Sequence, residues 1–274
     1  MFRVFMTRRW LGALALAVVF CVVAIFLGRW QWHRYENKEA IANRITDHYH
    51  AKPVPLRSVL ATPDTRMPVA VEWTPVTATG RYVPKSTQLI RNRPNNSIYG
   101  YEVIVPLRLD KGGVLLVDRG WVPNAKTAEI RPHVPPPPTG EVTVTGWLRE
   151  GEPNLGRQMP AGQLASINIG QAQQRIHGNV FDTYVIRKHE SPANGQPVKA
   201  PDALEAPTTD TGPHLAYAFQ WWAASGVGFI LVFVGVRRQK LDEDWQREHA
   251  GEAGAGTPPP PRPKKVWIWD EEDA

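Results

Sequence analysis

Two long uncharged apolar runs decide what this chain can fold into. The first, Trp10 to Leu27 (WLGALALAVVFCVVAIFL), has 18 residues, and the second, Leu215 to Val236 (LAYAFQWWAASGVGFILVFVGV), has 22. As a helix, each is about long enough to cross a hydrocarbon layer of roughly 30 Å. The second is apolar around its whole circumference, which suits lipid better than the one-sided surface of a soluble core. Each Leu, Ile, Val or Phe favours insertion by roughly 0.3 to 0.6 kcal/mol near the bilayer centre. A cleaved signal peptide is the competing reading of the first run. The run is long for that purpose, and Phe26, Leu27, Arg29 and Trp30 stand where small residues should mark a cleavage site. The expectation is therefore two uncleaved transmembrane helices, over residues 10–30 and 214–236.

The net charge of +6 would suit a nucleic-acid partner, but much of the Lys/Arg surplus brackets the apolar runs. It reads as membrane topology, with the lipid bilayer as a partner and no nucleic acid. Arg237, Arg238, Lys240 and Arg247 follow the second run, whereas Lys199 stands against Asp202, Glu205 and Asp210 ahead of it. The C-terminus is thus expected in the cytoplasm, and two passes put the N-terminus there too, with Arg3, Arg8 and Arg9. Arg29, Arg34, Lys38 and Arg44 oppose this orientation at the first run, and the second run decides. Only nine residues precede the first run, so a bacterial plasma membrane is expected rather than an organelle entered by a transit peptide. The main domain then lies outside the cytoplasm.

The intervening sequence changes character twice. Residues 31–68 form an expected helical collar and connector, since no Pro or Gly interrupts WQWHRYENKEAIANRITDHYH (30–50). Gln31, Arg34, Tyr35 and Lys38 share one face there, as a solvated collar would require. From 69 to 190 the chain reads as strands: 69–83, 88–92, 101–109, 113–122, 141–150 and 181–189, with a short helix near 168–176. Turn residues separate them at Pro94-Asn95-Asn96, Lys111-Gly112-Gly113 and Pro135 to Pro138. Hairpin-length links weight the pairing to antiparallel, so the fold class expected is a β-rich (α+β) extracytoplasmic domain, a small antiparallel barrel or sandwich, flanked by two transmembrane helices. Residues 191–213 read as a linker and 237–274 as a disordered cytoplasmic tail, where Trp267-Ile268-Trp269 ahead of four acids suggests a docking peptide.

The chemistry concentrates on His214, at the outer end of the second run. On a helix, Tyr217, Ala218, Trp221, Ser225 and Gly228 fall on its stripe. An imidazole is a good axial ligand for haem iron, and an indole two turns below could pack on a flat macrocycle. Ser225 and Gly228 would let that ring, or another helix, approach closely. An aromatic belt at the headgroups explains the same pattern without a ligand. Gln220, a polar amide in an apolar run, should find a protein partner. His33, beyond the first run, could supply a second ligand. Asp118-Arg119-Gly120 reads as a strand corner, with the alternative that Arg119, beside Arg91 or Arg93, pairs with ligand carboxylates. His48-x-His50 lacks further metal ligands. A single cysteine excludes an internal disulfide and a Cys-rich metal site, and no hydrolase or phosphate-binding motif is present. No enzyme is expected.

Four blocks carry a wider likeness: GRWQWHRYENK, VLLVDRGWVP, TVTGWLRE and HLAYAFQWW. In order, between the same two apolar runs, they resemble the Surfeit locus protein 1 family from about residue 28 to 240. The resemblance implies an assembly factor for haem-a type cytochrome c oxidase, with the catalytic subunit as partner, haem a synthase as a possible second, and haem a as a transient cofactor. It also implies that His214 is the family's functional histidine, that Trp221 is its associated tryptophan, and that Gly120 is its strand-ending glycine. The tail after 241 lies outside the likeness. Alternatives from the residues alone are a structural chaperone without haem contact and a two-span sensor.

Overall fold

The computed structural model describes residues 1–127, 130–196 and 198–250. The expected tail and its Trp267-Ile268-Trp269 peptide lie largely outside these residues. The chain divides into two compact units, Met1–Asn37 with Thr211 onward, and Lys38–Asp210.

The first unit is helical. A short helix α1 (Phe2–Phe5) precedes α2 (Arg8–His48), whose final turns belong to the second unit. After the β domain come α5 (His214–Ala224) and α6 (Val227–Glu248). The helices Arg8–His48 and His214–Glu248 are long and apolar enough to cross a membrane. The break between α5 and α6 falls at Ser225-Gly226, and a Ser/Gly pair is a common cause of a helix kink. There the Ser225 hydroxyl donates to the Trp222 carbonyl at 2.6 Å. Small residues hold the two apolar helices together: Ala17, Ala24 and Ala218 are buried, and Val232 and Val236 pack with Ala17 and Val4. Close backbone approach of this kind replaces the hydrophobic drive that is missing between helices in lipid.

The second unit is a mixed eight-stranded sheet. Its strands are β1 (Val54–Pro55), β2 (Pro75–Tyr82), β3 (Gln88–Asn95), β4 (Ile98–Leu109), β5 (Val114–Pro123), β6 (Glu141–Arg149), β7 (Gln163–Leu164) and β8 (Val180–Pro192). They run in the order β1-β2-β6-β8-β5-β4-β3-β7, and the sheet curls so that β2 also meets β4 over three residues. Two helices complete it, α3 (Leu56–Val59) and α4 (Ile169–Gln173), the latter capped by the Asn168 side chain accepting from Gln171 N at 2.9 Å.

Most expected strands are present, but the expected antiparallel barrel or sandwich is not. β5 pairs β8 in parallel, as do β1 with β2 and β3 with β7, and the whole is not a closed antiparallel barrel. The reason lies in β5. Its run VLLVDRGWV is buried on both faces, as a central strand must be, whereas hairpin reasoning gives it one neighbour. On one face Val103, Val105, Leu107, Leu115 and Val117 join Val142, Val144 and Phe181; on the other Ile104, Leu116, Ile167 and Tyr184 gather. The β3–β4 hairpin turns through Asn96 and Ser97, each at positive φ (49° and 63°), the pattern of a two-residue turn that matches strand twist.

At its start the β unit grips the end of α2. The Tyr49 and Trp147 rings stack at 4.3 Å, the Trp147 indole donates to the Tyr49 carbonyl at 2.9 Å, and His48 Nδ1 donates to the Glu72 carbonyl at 2.9 Å. At its end, residues 199–205, expected as a free linker, are bonded along the end of β5. The backbones of Trp121 and Asp202 exchange two hydrogen bonds, at 2.8 and 2.9 Å.

Candidate functional site

His214 opens α5, and its ring is fixed by a residue of the other apolar helix. His214 Nδ1 lies 2.9 Å from Oε1 of Gln31 on α2. An amide oxygen only accepts, so Nδ1 carries the proton and Nε2 is left with its lone pair. This is the tautomer that a metal-binding imidazole needs, oriented by a hydrogen bond at its other nitrogen. Gln31 is therefore no part of a solvated collar; it faces the second apolar helix. The sequence offered one clue, a polar amide three residues beyond Gly28, at helical spacing for the same stripe.

The expected companions of His214 divide. Tyr217 and Trp221 are on its helical face, Tyr217 46% exposed and Trp221 half-buried. Trp222 is the inward indole: it fills the notch where Gly28 has no side chain, and it meets Trp32 at 5.8 Å and Phe219 at 5.7 Å. A Cβ at Gly28 would collide with that indole. Gly228 lies against Ala17, where an added Cβ would sit 3.0 Å from the alanine methyl, so it serves the close approach of the other helix. Gln220 is exposed and makes no side-chain hydrogen bond among the described residues, contrary to expectation. His33 turns instead to Glu36, at 3.0 Å, and its side chain is more than half exposed. It is not brought to His214.

In the β unit the Asp118-Arg119-Gly120 corner is structural. A bulge puts Arg119 and Gly120 opposite one residue of β4, so that Asp118 and Arg119 are both buried although they are consecutive. Arg119 is 0% exposed. Its Nη2 and Nε donate to Glu190 at 2.6 and 3.1 Å, its Nη1 to the Pro135 carbonyl at 3.0 Å, and the Tyr82 ring lies 5.4 Å away. The Tyr82 hydroxyl donates to Glu190 at 3.0 Å, and burial, with the Glu190 charge, pushes its pKa well up. With each of its three nitrogens already bonded and its side chain fully buried, Arg119 is not free to hold ligand carboxylates. Arg93 is likewise engaged, with Glu102 at 3.0 Å and with Glu152, while Arg91 lies over Tyr101. Burial raises Glu102 to about 7, against the pull of Arg93, and Asp118 well above the usual carboxylate range. No cluster of three metal-ligating side chains occurs among the described residues, and His48 and His50 form no such site.

The SURF1 family model matches residues 18–226, a span that includes the β unit, Gln31, His214 and Trp221. An uncharacterized SURF1-like protein of Mycobacterium tuberculosis is 31% identical over 249 residues, 85% of this chain and 87% of its own. The cytochrome oxidase assembly protein SHY1 of Saccharomyces cerevisiae is 29% identical over 108 residues, 39% of this chain and 27% of its own. A SURF1-like protein of Dictyostelium discoideum is 28% identical over 121 residues, 43% and 44% of the two chains. Matched by the family model over well more than half of its length, and 31% identical to a relative over 85% of it, the chain belongs to the SURF1 family.

Proposed function

We propose that this chain is a membrane-anchored assembly factor for cytochrome oxidase that hands on haem a through His214. The assembly role rests on family membership and on the SHY1 relative. The observation that favours haem is the His214–Gln31 hydrogen bond, which sets the imidazole tautomer with Nε2 as the donor to a metal. Haem a is here cargo, and the His214 imidazole would supply the nitrogen that holds its iron. Gln31 holds the His214 ring and its proton at Nδ1. Trp221 and Tyr217, on the same face, supply aromatic surface beside it. Trp222 keeps the helices in register at Gly28 rather than packing on the cargo.

In this reading both termini are cytoplasmic and residues 38–210 lie outside. The partner is the oxidase catalytic subunit, with haem a synthase as a possible donor. The chain acts without a catalytic step of its own, in keeping with an assembly factor.

The test is the absorption spectrum of the full chain purified from cells that make haem a. The wild type should carry a haem-a band, His214→Ala should lose it, and Gln31→Leu should weaken it. A band of undiminished height in His214→Ala would reject the ligand assignment and leave a chaperone that packs on the oxidase without touching haem.

A further inference from the structure

The two sides of the seam between the apolar helices are unlike. At 3.6 residues per turn, Trp222 and Phe219 fall about 80° and 140° to one side of the His214 stripe, and Trp32 falls about 100° from Gln31 on the facing helix. These rings fill that side, Trp32 lying 5.8 Å from Trp222 and 6.3 Å from Phe219. Tyr217, Ala224 and Leu231 fall about 60° to 100° to the other side. Helical phase carries through the break between α5 and α6, because Ser225 and Gly226 keep right-handed backbone angles, with φ at −57° and −85°. On this second side the helices part over an apolar groove of about 470 Å³, lined chiefly by Leu16, Ala17 and Phe20 of α2 and by Val227, Gly228 and Leu231 of α6. Ala17 and Gly228, in close contact, make its floor. Leu16, Phe20 and Leu231, all exposed, make its walls.

The groove stands in line with His214. Val227 at its upper end lies about 20 Å along the helix from His214, at 1.5 Å per residue. Between them Trp221 and Ala224 follow at helical spacing, and Ala224 is small enough to leave the way open. The proposed cargo has a matching form. Haem a carries a long, uncharged isoprenoid tail at the edge of a flat ring. A ring held at His214, beside Tyr217 and Trp221, needs an apolar channel leading from that same side into the membrane; the opposite side is already filled by aromatic rings. We infer that the groove seats this tail, and that Leu16, Phe20 and Leu231 select a tailed haem and set the bearing of its ring. The inference deepens the proposed function and rests on it. Lipid is as apolar as an isoprenoid, so removal from water contributes little here; the preference comes from packing against fixed walls.

The test titrates the full chain in detergent with two ferric haems, followed by the haem absorption band. Haem b has no such tail, and haem o matches haem b except for the tail. Leu16→Trp and Leu231→Trp narrow the groove from either wall. Ile230→Trp, at a position 62% exposed and outside the groove, controls for added bulk. Each groove variant should bind haem o about 10-fold more weakly than the wild type, while haem b affinity stays the same and Ile230→Trp changes neither. Comparing proteins against one haem cancels that haem's own partition into the micelle. Unchanged haem o affinity in both groove variants overturns the inference and leaves the groove to a lipid chain or a partner helix. A loss of equal size for haem b in both also overturns it, since the tail would then make no difference. His214→Ala, run in parallel, reports on the proposed function separately: undiminished binding of both haems there rejects the ligand assignment, whereas the contrast between haem o and haem b in the groove variants is read independently.

Discussion

The buried pair Arg119–Glu190 makes a prediction whose size follows from the surroundings of its two charges. The Arg119 side chain is 0% exposed and that of Glu190 6%. Removing one partner strands the other in a medium that solvates it poorly, which costs about 3–5 kcal/mol. The two removals are not equivalent. In Arg119→Leu the stranded Glu190 can take up a proton and keeps the Tyr82 hydroxyl as donor, so the cost should fall near ~3 kcal/mol. In Glu190→Leu the stranded guanidinium cannot deprotonate, and it keeps the Pro135 carbonyl and the Tyr82 ring face; the cost should approach ~5 kcal/mol. The double variant Arg119→Met/Glu190→Leu strands no charge, only the Tyr82 hydroxyl and the Pro135 carbonyl, and should cost about 1–3 kcal/mol, less than Glu190→Leu. Urea unfolding of the full chain in mild detergent, followed by the far-ultraviolet circular dichroism of the sheet, measures all three. Single variants that each cost under ~1 kcal/mol, or a double variant as costly as the sum of the two, would refute the reasoning.

Two further outcomes are expected. Burial holds Glu102 at about 7, above its ordinary value of 4.5, so the folded state binds the extra proton. The stability this gives is complete below the ordinary carboxylate range and is lost as pH rises through about 7, by about 3 kcal/mol in all; Asp118, also raised by burial, adds to the loss in the same direction. Glu102→Gln should flatten this dependence, and identical pH profiles for variant and wild type would contradict the assignment. Between the apolar helices, Gly228→Leu should force Ala17 away and cost about 1–3 kcal/mol by overpacking, while Gly228→Ala needs a shift of only a few tenths of an ångström; thermal melting of the helical signal in micelles should rank wild type, Ala and Leu in that order.

Much of the β unit was legible in the sequence, because alternation and turn chemistry act over a few residues. The stretches 88–92, 101–109 and 181–189 fall within observed strands, 113–122 and 141–150 overrun theirs by one residue each, and a short helix occurs near 168–176. Pairing was not legible in the same way. β5 and β8 lie side by side in parallel although β6 and α4 intervene in the chain, and only the packing of two apolar faces onto one doubly buried strand selects that neighbour.

The site divides along the same line. His214, Tyr217 and Trp221 could be placed on one face from helical spacing alone, and the two apolar runs from length and composition. That Gln31, 183 residues away, fixes the imidazole, and that Trp222 seats in the notch at Gly28, depended on which small residues let the two helices meet. Gly120 is the sharpest case. Its letter in the sequence marks a strand with no side chain at one position; the reason for it is the carbonyl of Asp202, brought there by folding. Local patterns are written in the chain because their interactions span a few residues. Partners distant along it are set by which surfaces fit, and that is decided only when the whole chain is packed.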